Sequence, residues 1–217
     1  LSAVQWNPLG AQTDLTVGYR YRLFDSKKLI LSDTGLGAML IARVNPAFAR
    51  LGGAVEFQPL AVLGLRVIYE QHLYWGSFKM IQSFASPYAQ YDEETLRRRA
   101  DAGGNYATTG HHLTLRATLR PKVGPVAMLN DIDLIYHSMG LHAGDRVYYV
   151  NLFDTLAPNN GWMIFNNAHL VWLHGPLVAG LRHTLVHSLY PEDLLKDGVN
   201  PNTPNHRLGP IVAYTFA

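Results

Sequence analysis

From Leu15 the chain reads Leu-Thr-Val-Gly-Tyr-Arg-Tyr-Arg-Leu. Leu15, Val17, Tyr19, Tyr21 and Leu23 fall on one side of an extended backbone, and Thr16, Gly18, Arg20 and Arg22 on the other. Successive side chains of a strand point to opposite faces, so this period of two predicts a strand with one apolar and one polar face. The pattern recurs along the chain. Leu51, Val55 and Phe57 oppose Arg50, Gly52 and Glu56; Leu63, Leu65, Val67 and Tyr69 oppose Gly64, Arg66, Glu70 and His72. Leu113, Leu115, Ala117 and Leu119 oppose His112, Thr114, Arg116, Thr118 and Arg120, while Ile132 and Leu134 oppose Asp131 and Asp133. Further on, Leu177, Ala179, Leu181 and Leu185 oppose Gly180, Arg182 and Thr184. Leu208, Val212, Tyr214 and Phe216 oppose Arg207, Gly209, Ala213 and Thr215. The predicted fold class is all-β.

Segment length separates two ways of using such strands. Globular strands average about five or six residues, whereas a strand tilted across a bilayer needs roughly nine to eleven. Several segments here are of the longer kind. Three pairs are joined by short links containing proline: Gln58-Pro59, Pro121 to Pro125, and His174-Gly175-Pro176. Longer polar links lie between them, near 25–46, 76–110, 139–161 and 191–205. Short turns on one side and long loops on the other are the asymmetry of a transmembrane, antiparallel, up-and-down β-barrel. The pattern predicts eight crossings, near 13–24, 47–58, 60–75, 110–121, 125–138, 161–173, 176–190 and 206–217, in one domain spanning 1–217. Residues 1–12 are expected to be an N-terminal periplasmic segment, and 77–110 the longest extracellular loop. Two stretches of strand-like text inside the loops, Leu29–Leu31 with Met39–Val44 and Val147–Val150, are either extensions of the barrel or further crossings, making ten or twelve strands. The charged stretch from Asp92 to Asp101 has Glu93 and Glu94 four residues ahead of Arg97 and Arg98, which predicts a short exposed helix with i,i+4 pairs.

A soluble barrel would hide the apolar face and wet the arginines, and a membrane barrel does the reverse. Aromatics near segment ends favour the membrane form: Tyr69, Trp75, Trp162, Trp172, Tyr214 and Phe216 read as interfacial anchors. Charges on a lipid face cost roughly 2–4 kcal/mol each near the midplane. Arg20, Arg22, Arg50, Glu56, Arg66, Glu70, Arg116, Arg120, Asp131, Asp133 and Arg182 are therefore expected inside, as a solute pathway or as a plug of ion pairs. In eight strands the interior is just wide enough for side chains to fill. Composition agrees: hydrophobic residues are 48% and charged residues 16%, low against the roughly 25% of an ordinary soluble domain. A net charge of +2 gives no field for nucleic acid. With no cysteine, disulfides and thiolate chemistry are excluded. The N-terminal residues lack a signal-peptide pattern, so the chain reads as a mature form with any signal removed.

The chain resembles a small Gram-negative outer-membrane β-barrel protein. Ile211-Val212-Ala213-Tyr214-Thr215-Phe216 is similar to the aromatic-ended final strand recognised by the outer-membrane assembly machinery, with Ala217 as a departure from it. The resemblance implies residence in the outer membrane against lipid and lipopolysaccharide, with binding to that machinery through the last strand. It implies no cofactor. Passive passage of small polar or anionic solutes is the function expected of such a barrel. The alternative is a non-conducting structural or adhesive barrel acting through its loops. A lipid-modifying hydrolase would need a nucleophile and base within reach, and His187-Ser188 near Glu192 and Asp193 is the sole sequence hint of one. Enzyme activity is not expected. Adjacent histidines such as His111-His112 point to opposite faces, so no metal-ligating set is expected.

Overall fold

The computed structural model describes residues 2–5 and 10–215. One large antiparallel sheet organises them. Its strands follow chain order: β1 (Ser2–Gln5), β2 (Gly10–Arg22), β3 (Gly35–Val44), β4 (Phe48–Leu60), β5 (Leu63–Trp75), β7 (Ala107–Leu119), β9 (Val126–Met139), β12 (Gly161–His174), β13 (Leu177–Leu189) and β14 (Asn205–Tyr214). A two-residue strand, β8 (Lys122–Val123), folds back onto β9. Each strand pairs antiparallel with the next on this path, giving an up-and-down order. A second, three-stranded sheet of β6 (Ser83–Phe84), β10 (Val147–Val150) and β11 (Thr155–Pro158) sits apart from this path. The single α-helix among the described residues, α1, spans Glu93–Asp101.

A strand forms at each of the eight expected positions, the last as far as Tyr214, and a ninth long strand joins them among the described residues. Leu29–Leu31 forms a single 3-10 turn, whereas β3 contains Met39–Val44, the strand-like stretch expected to be either a barrel extension or a further crossing. Period two is masked there, because Gly35, Gly37, Met39 and Ile41 share a face with Arg43 and leave it barely more polar than Leu36, Ala38, Leu40, Ala42 and Val44 opposite. Ile41, with Ala54 and Ile68, forms a small apolar cluster inside the otherwise polar face. The extra strand reverses β2, whose far end now meets β3 on the side of the short turns. Of the N-terminal stretch, β1 pairs back onto the start of β2 at the loop side, Ser2 opposite Thr13. Val147–Val150 is neither a crossing nor a barrel extension but the middle strand of the small sheet.

The two faces of the large sheet are inverted relative to a soluble protein. Leu40, Leu181 and Val212 on the apolar face are exposed by 70%, 52% and 73%, whereas Glu70, Asp133 and His137 on the polar face are exposed by 5%, 3% and 0%. Except for Gly53, glycines within the long strands lie on the polar face. At Gly52 and Gly180 the backbones approach too closely for a side chain. A Cβ on Gly52 would stand 2.1 Å from the Tyr69 carbonyl oxygen, and one on Gly180 2.1 Å from that of Leu170. Glycine at such points lets a sheet curl toward the side that lacks Cβ atoms.

Links 76–106, 140–160 and 190–204 gather at one end and build a cap. The small sheet has two packed sides. Tyr148 and Val150 face the large sheet, in one cluster with Ile135, Met139, Met163 and Val186. Val147 and Leu156 face away, packed with Phe84, Leu96 of α1 and Tyr190. Helix α1 begins where expected, Asp92 accepting a hydrogen bond from the Thr95 amide at 3.0 Å. Its expected i,i+4 pairs do not form: Glu93 reaches Lys79 instead, and Arg98 donates to Thr95 Oγ1 at 3.3 Å.

Candidate functional site

Register stacks the polar face into cross-strand rows. One row runs Arg20, Gly37, Glu56, Arg66, Arg116, Asp133 and Phe165 across neighbouring strands. Arg66 and Arg116 stand side by side in it, and each has a carboxylate on its other flank. Arg116 clasps Asp133 with two bonds of 2.6 Å, and Arg66 Nε donates to Glu56 at 2.9 Å. Paired, planar contacts of this kind are the strong form of ion pair, and Asp133 is almost wholly enclosed. Toward the loops an apolar row intervenes, Ala54, Ile68, Thr114, Ile135 and Met163. Beyond it lie Glu70, His112 and His137 in one row and Arg43, Arg50 and His72 in the next.

The cap meets these last two rows. Tyr148 Oη lies 3.0 Å from His112 Nε2 and 2.5 Å from His137 Nδ1, and those two nitrogens are 3.1 Å apart. The His72 ring lies against that of His112, centroids 3.8 Å apart. His72 and His137 are fully enclosed, and both His72 nitrogens and His137 Nε2 lack a hydrogen-bond partner. Arg43 pairs with Glu70 at 3.1 Å, and the Arg50 guanidinium lies 4.4 Å over the Phe48 ring. Burial pushes the Tyr148 hydroxyl well above the usual tyrosine range.

At the opposite, short-turn end the polar side chains are more open. Arg20 donates to the Asp33 carbonyl at 2.6 Å and to Gln58, Arg120 to the Ala61 carbonyl and to Gln58, and Arg182 to Asn167 at 2.8 Å. These three arginines thus bond to neutral oxygens. Arg22 pairs with Asp25 at 2.7 Å, and Asp131 accepts from Thr118 at 2.6 Å. All eleven expected polar-face residues occupy one side of the sheet. The structure joins Arg66 with Glu56 and Arg116 with Asp133, and leaves Arg20, Arg120 and Arg182 apart from them.

On the apolar face Tyr69, Tyr136 and Trp162 share one cross-strand row, and Tyr136 meets Trp162 edge to face at 5.2 Å. Trp172 lies ten residues further along β12, close to Tyr214 across β13. Ten residues of strand cover roughly 33 Å, or about 25 Å of height at a tilt near 40°. Trp75 caps the loop side, its indole donating to the Pro46 carbonyl at 2.9 Å. Phe216 lies outside the described residues. A small polar patch interrupts this face. Asn166 donates to Asn130 at 2.5 Å, and His183 Nε2 is 3.1 Å from His206 Nδ1.

His187 and Ser188 do not form a catalytic pair. They point to opposite faces, and the buried Ser188 hydroxyl donates to the Leu156 carbonyl at 2.6 Å. The His72–His112–His137–Tyr148 group was missed from the sequence, although period two put His72 and His112 on the polar side. Their convergence depends on the pairing of β5, β7 and β9 and on a loop strand whose Tyr148 is 36 residues from His112, which no spacing along a single strand encodes.

Comparison with protein-family models, with curated proteins and with solved structures returned no match.

Proposed function

We propose that the protein is an integral outer-membrane β-barrel whose polar interior is closed at the loop end by its own folded cap. The observation that carries this reading is the inversion of the two faces: a continuous set of exposed aliphatic side chains outside and paired charges within. In water that arrangement would leave the hydrophobic effect unused over most of the sheet. In lipid it places apolar groups where they cost nothing and polar groups where they find partners. The spacing of about 25 Å between the two aromatic rows suits the apolar band of an outer-membrane barrel. Glycines on the polar side suit the curvature that closure needs. Nine long strands enclose more room than eight, and the cap fills it at one end. No helix among the described residues is long and apolar enough to cross a membrane, which says nothing of strands.

In this reading the cap makes the resting barrel non-conducting, and the loop end is its working surface. A second reading, passage of small anions once the cap is displaced, is favoured by Arg20, Arg120 and Arg182, which bond to neutral oxygens at the short-turn mouth. Planar-bilayer recording on the folded 217-residue chain, with insertion verified separately, tests both. The expected result is silence from the native chain. Replacement of residues 140–160 by a short turn should then give discrete anion-selective steps, reduced by Arg66→Ala or Arg116→Ala. Steps from the native chain would overturn the closed barrel, and failure to enter bilayers would overturn the membrane reading itself. Silence from the inserted, cap-deleted chain would eliminate anion passage.

A further inference from the structure

We propose that His112, His137 and Tyr148 form a binding site for a first-row transition-metal ion, held between the large sheet and the cap. This inference does not depend on the membrane reading. It rests on the arrangement of three ligand atoms: His112 Nε2 to His137 Nδ1 is 3.1 Å, His112 Nε2 to Tyr148 Oη 3.0 Å, and His137 Nδ1 to Tyr148 Oη 2.5 Å. Donors at right angles about an ion, each roughly 2.1 Å from it, stand about 3.0 Å from one another. One point therefore lies within bonding distance of all three atoms. Among the described residues no three His, Cys, Asp or Glu side chains could hold a metal ion, and the third ligand here is a phenol.

Hydrogen bonding alone accounts poorly for the group. The Tyr148 hydroxyl has one proton to share, and a chain from His112 through Tyr148 to His137 is the most it supports. It leaves His137 Nε2 and both nitrogens of His72 enclosed without partners. Such orphaned polar atoms are rare in a folded protein; an ion on His137 Nδ1 leaves His137 Nε2 as it is, so the orphaned atoms that bear on the site are those of His72. His72, at 0% exposure and with its ring 3.8 Å from that of His112, is the nearest group able to supply a fourth ligand by turning about its own side-chain bonds.

The charge environment bears on which ion fits. Arg50 and Arg43 are the neighbouring cations, and Glu70, in the same row as His112, is the neighbouring anion. Binding with Tyr148 as phenolate releases one proton and adds a negative ligand directly on the metal, offsetting Arg50. Two imidazoles and a phenolate suit Cu(II), Fe(III) or Zn(II), and by the usual order of stability Cu(II) binds most tightly.

The test uses the whole chain, folded in detergent micelles and stripped of metal, titrated with Cu(II) and in parallel with Zn(II). One equivalent of Cu(II) should bind and produce the visible charge-transfer band of a copper-bound phenolate. Tyr148→Phe, which keeps the ring and its packing, should abolish the band and weaken binding by roughly 10–100-fold or more. His137→Gln should weaken it comparably, whereas His183→Gln, in the histidine pair on the outer face, should leave the band and the affinity unchanged. Electron paramagnetic resonance of the native Cu(II) complex, expected to report two imidazole nitrogens, covers the case in which a variant does not fold. Absence of the band in the native protein would overturn the site. So would binding that survives Tyr148→Phe and His137→Gln, or binding removed by His183→Gln.

Discussion

The loop end and the short-turn end of the polar face are built from the same strands, yet they solve the burial of polar groups differently. At the loop end a second layer covers the sheet. His72, His137, Met163 and Tyr148 are enclosed, and apolar clusters on both sides of the small sheet resemble the core of an ordinary globular domain. At the short-turn end nothing comparable covers Arg20, Arg120 or Arg182, which rely on hydrogen bonds to carbonyl and amide oxygens. Between the two lies the Glu56–Arg66–Arg116–Asp133 row. The contrast teaches that the cap supplies a core local to itself, while the remaining strands depend on one another and on what surrounds their apolar side.

The strongest way to break this comparison is to charge the apolar face. Ile132→Arg, on the apolar face near the middle of β9 and between the two aromatic rows, should cost about 2–4 kcal/mol in a bilayer or micelle, read as loss of the folded species in urea titration. On a surface in water the same change would move stability by less than about 0.5 kcal/mol, and that outcome would sink the lipid-facing assignment. Arg116→Ala should be next, at roughly 1–3 kcal/mol, because it strands the buried Asp133 carboxylate. Arg182→Ala, at the open end, should be nearly silent. Equal losses in the two variants would mean that the ends are not energetically distinct.

The smallest effects concern pH, and they should be confined to the cap. Burial, outweighing a hydrogen bond from Asn202, pushes the Tyr190 hydroxyl up to about 12. The folded cap then holds a proton that the unfolded chain gives up at its ordinary tyrosine value, near 10. Stability should be intact below that value and decline as pH rises from there to about 12. On the acid side, hydrogen bonds from Thr95, side chain first and then amide, hold the Asp92 carboxyl below its usual range. That contribution is present above the ordinary aspartate value and is lost as pH falls through the lowered one. Amide exchange should therefore accelerate in α1 under acid and around Tyr190 under alkali, with β7 and β9 unmoved. Simultaneous opening of strands and cap would show that they form one cooperative unit.

Much of the fold was legible because period two is a local property. Eight strands were placed within a few residues from Leu, Val and Tyr alternating with Arg, Gly and Glu. β3 was legible only in part, as the strand-like stretch Met39–Val44, because Met39 and Ile41 put apolar groups on the polar side, in one cluster with Ile68. The Arg116–Asp133 and Arg66–Glu56 pairs were foreseeable as members of one face but not as partners, since partnership is decided by register. The histidine–tyrosine group was the least legible, being assembled by three strands and a loop. Its signal was the recurrence of histidine on the polar side of successive strands.

The cap has one consequence for the order in which this molecule can be made. Its bonds join distant parts of the chain: Tyr88 Oη to the Val199 carbonyl, Tyr91 Oη to Asn202 at 2.8 Å, and Arg146 to Asp193 at 2.7 Å. None of these contacts exists until β13 has been laid down and the chain beyond it has returned across the end of the sheet. Closure of the cap is thus a late event that reports completion of the strands beneath it. A protease cutting once inside any one of the three loops would release no fragment, because the other two hold both cut ends in place.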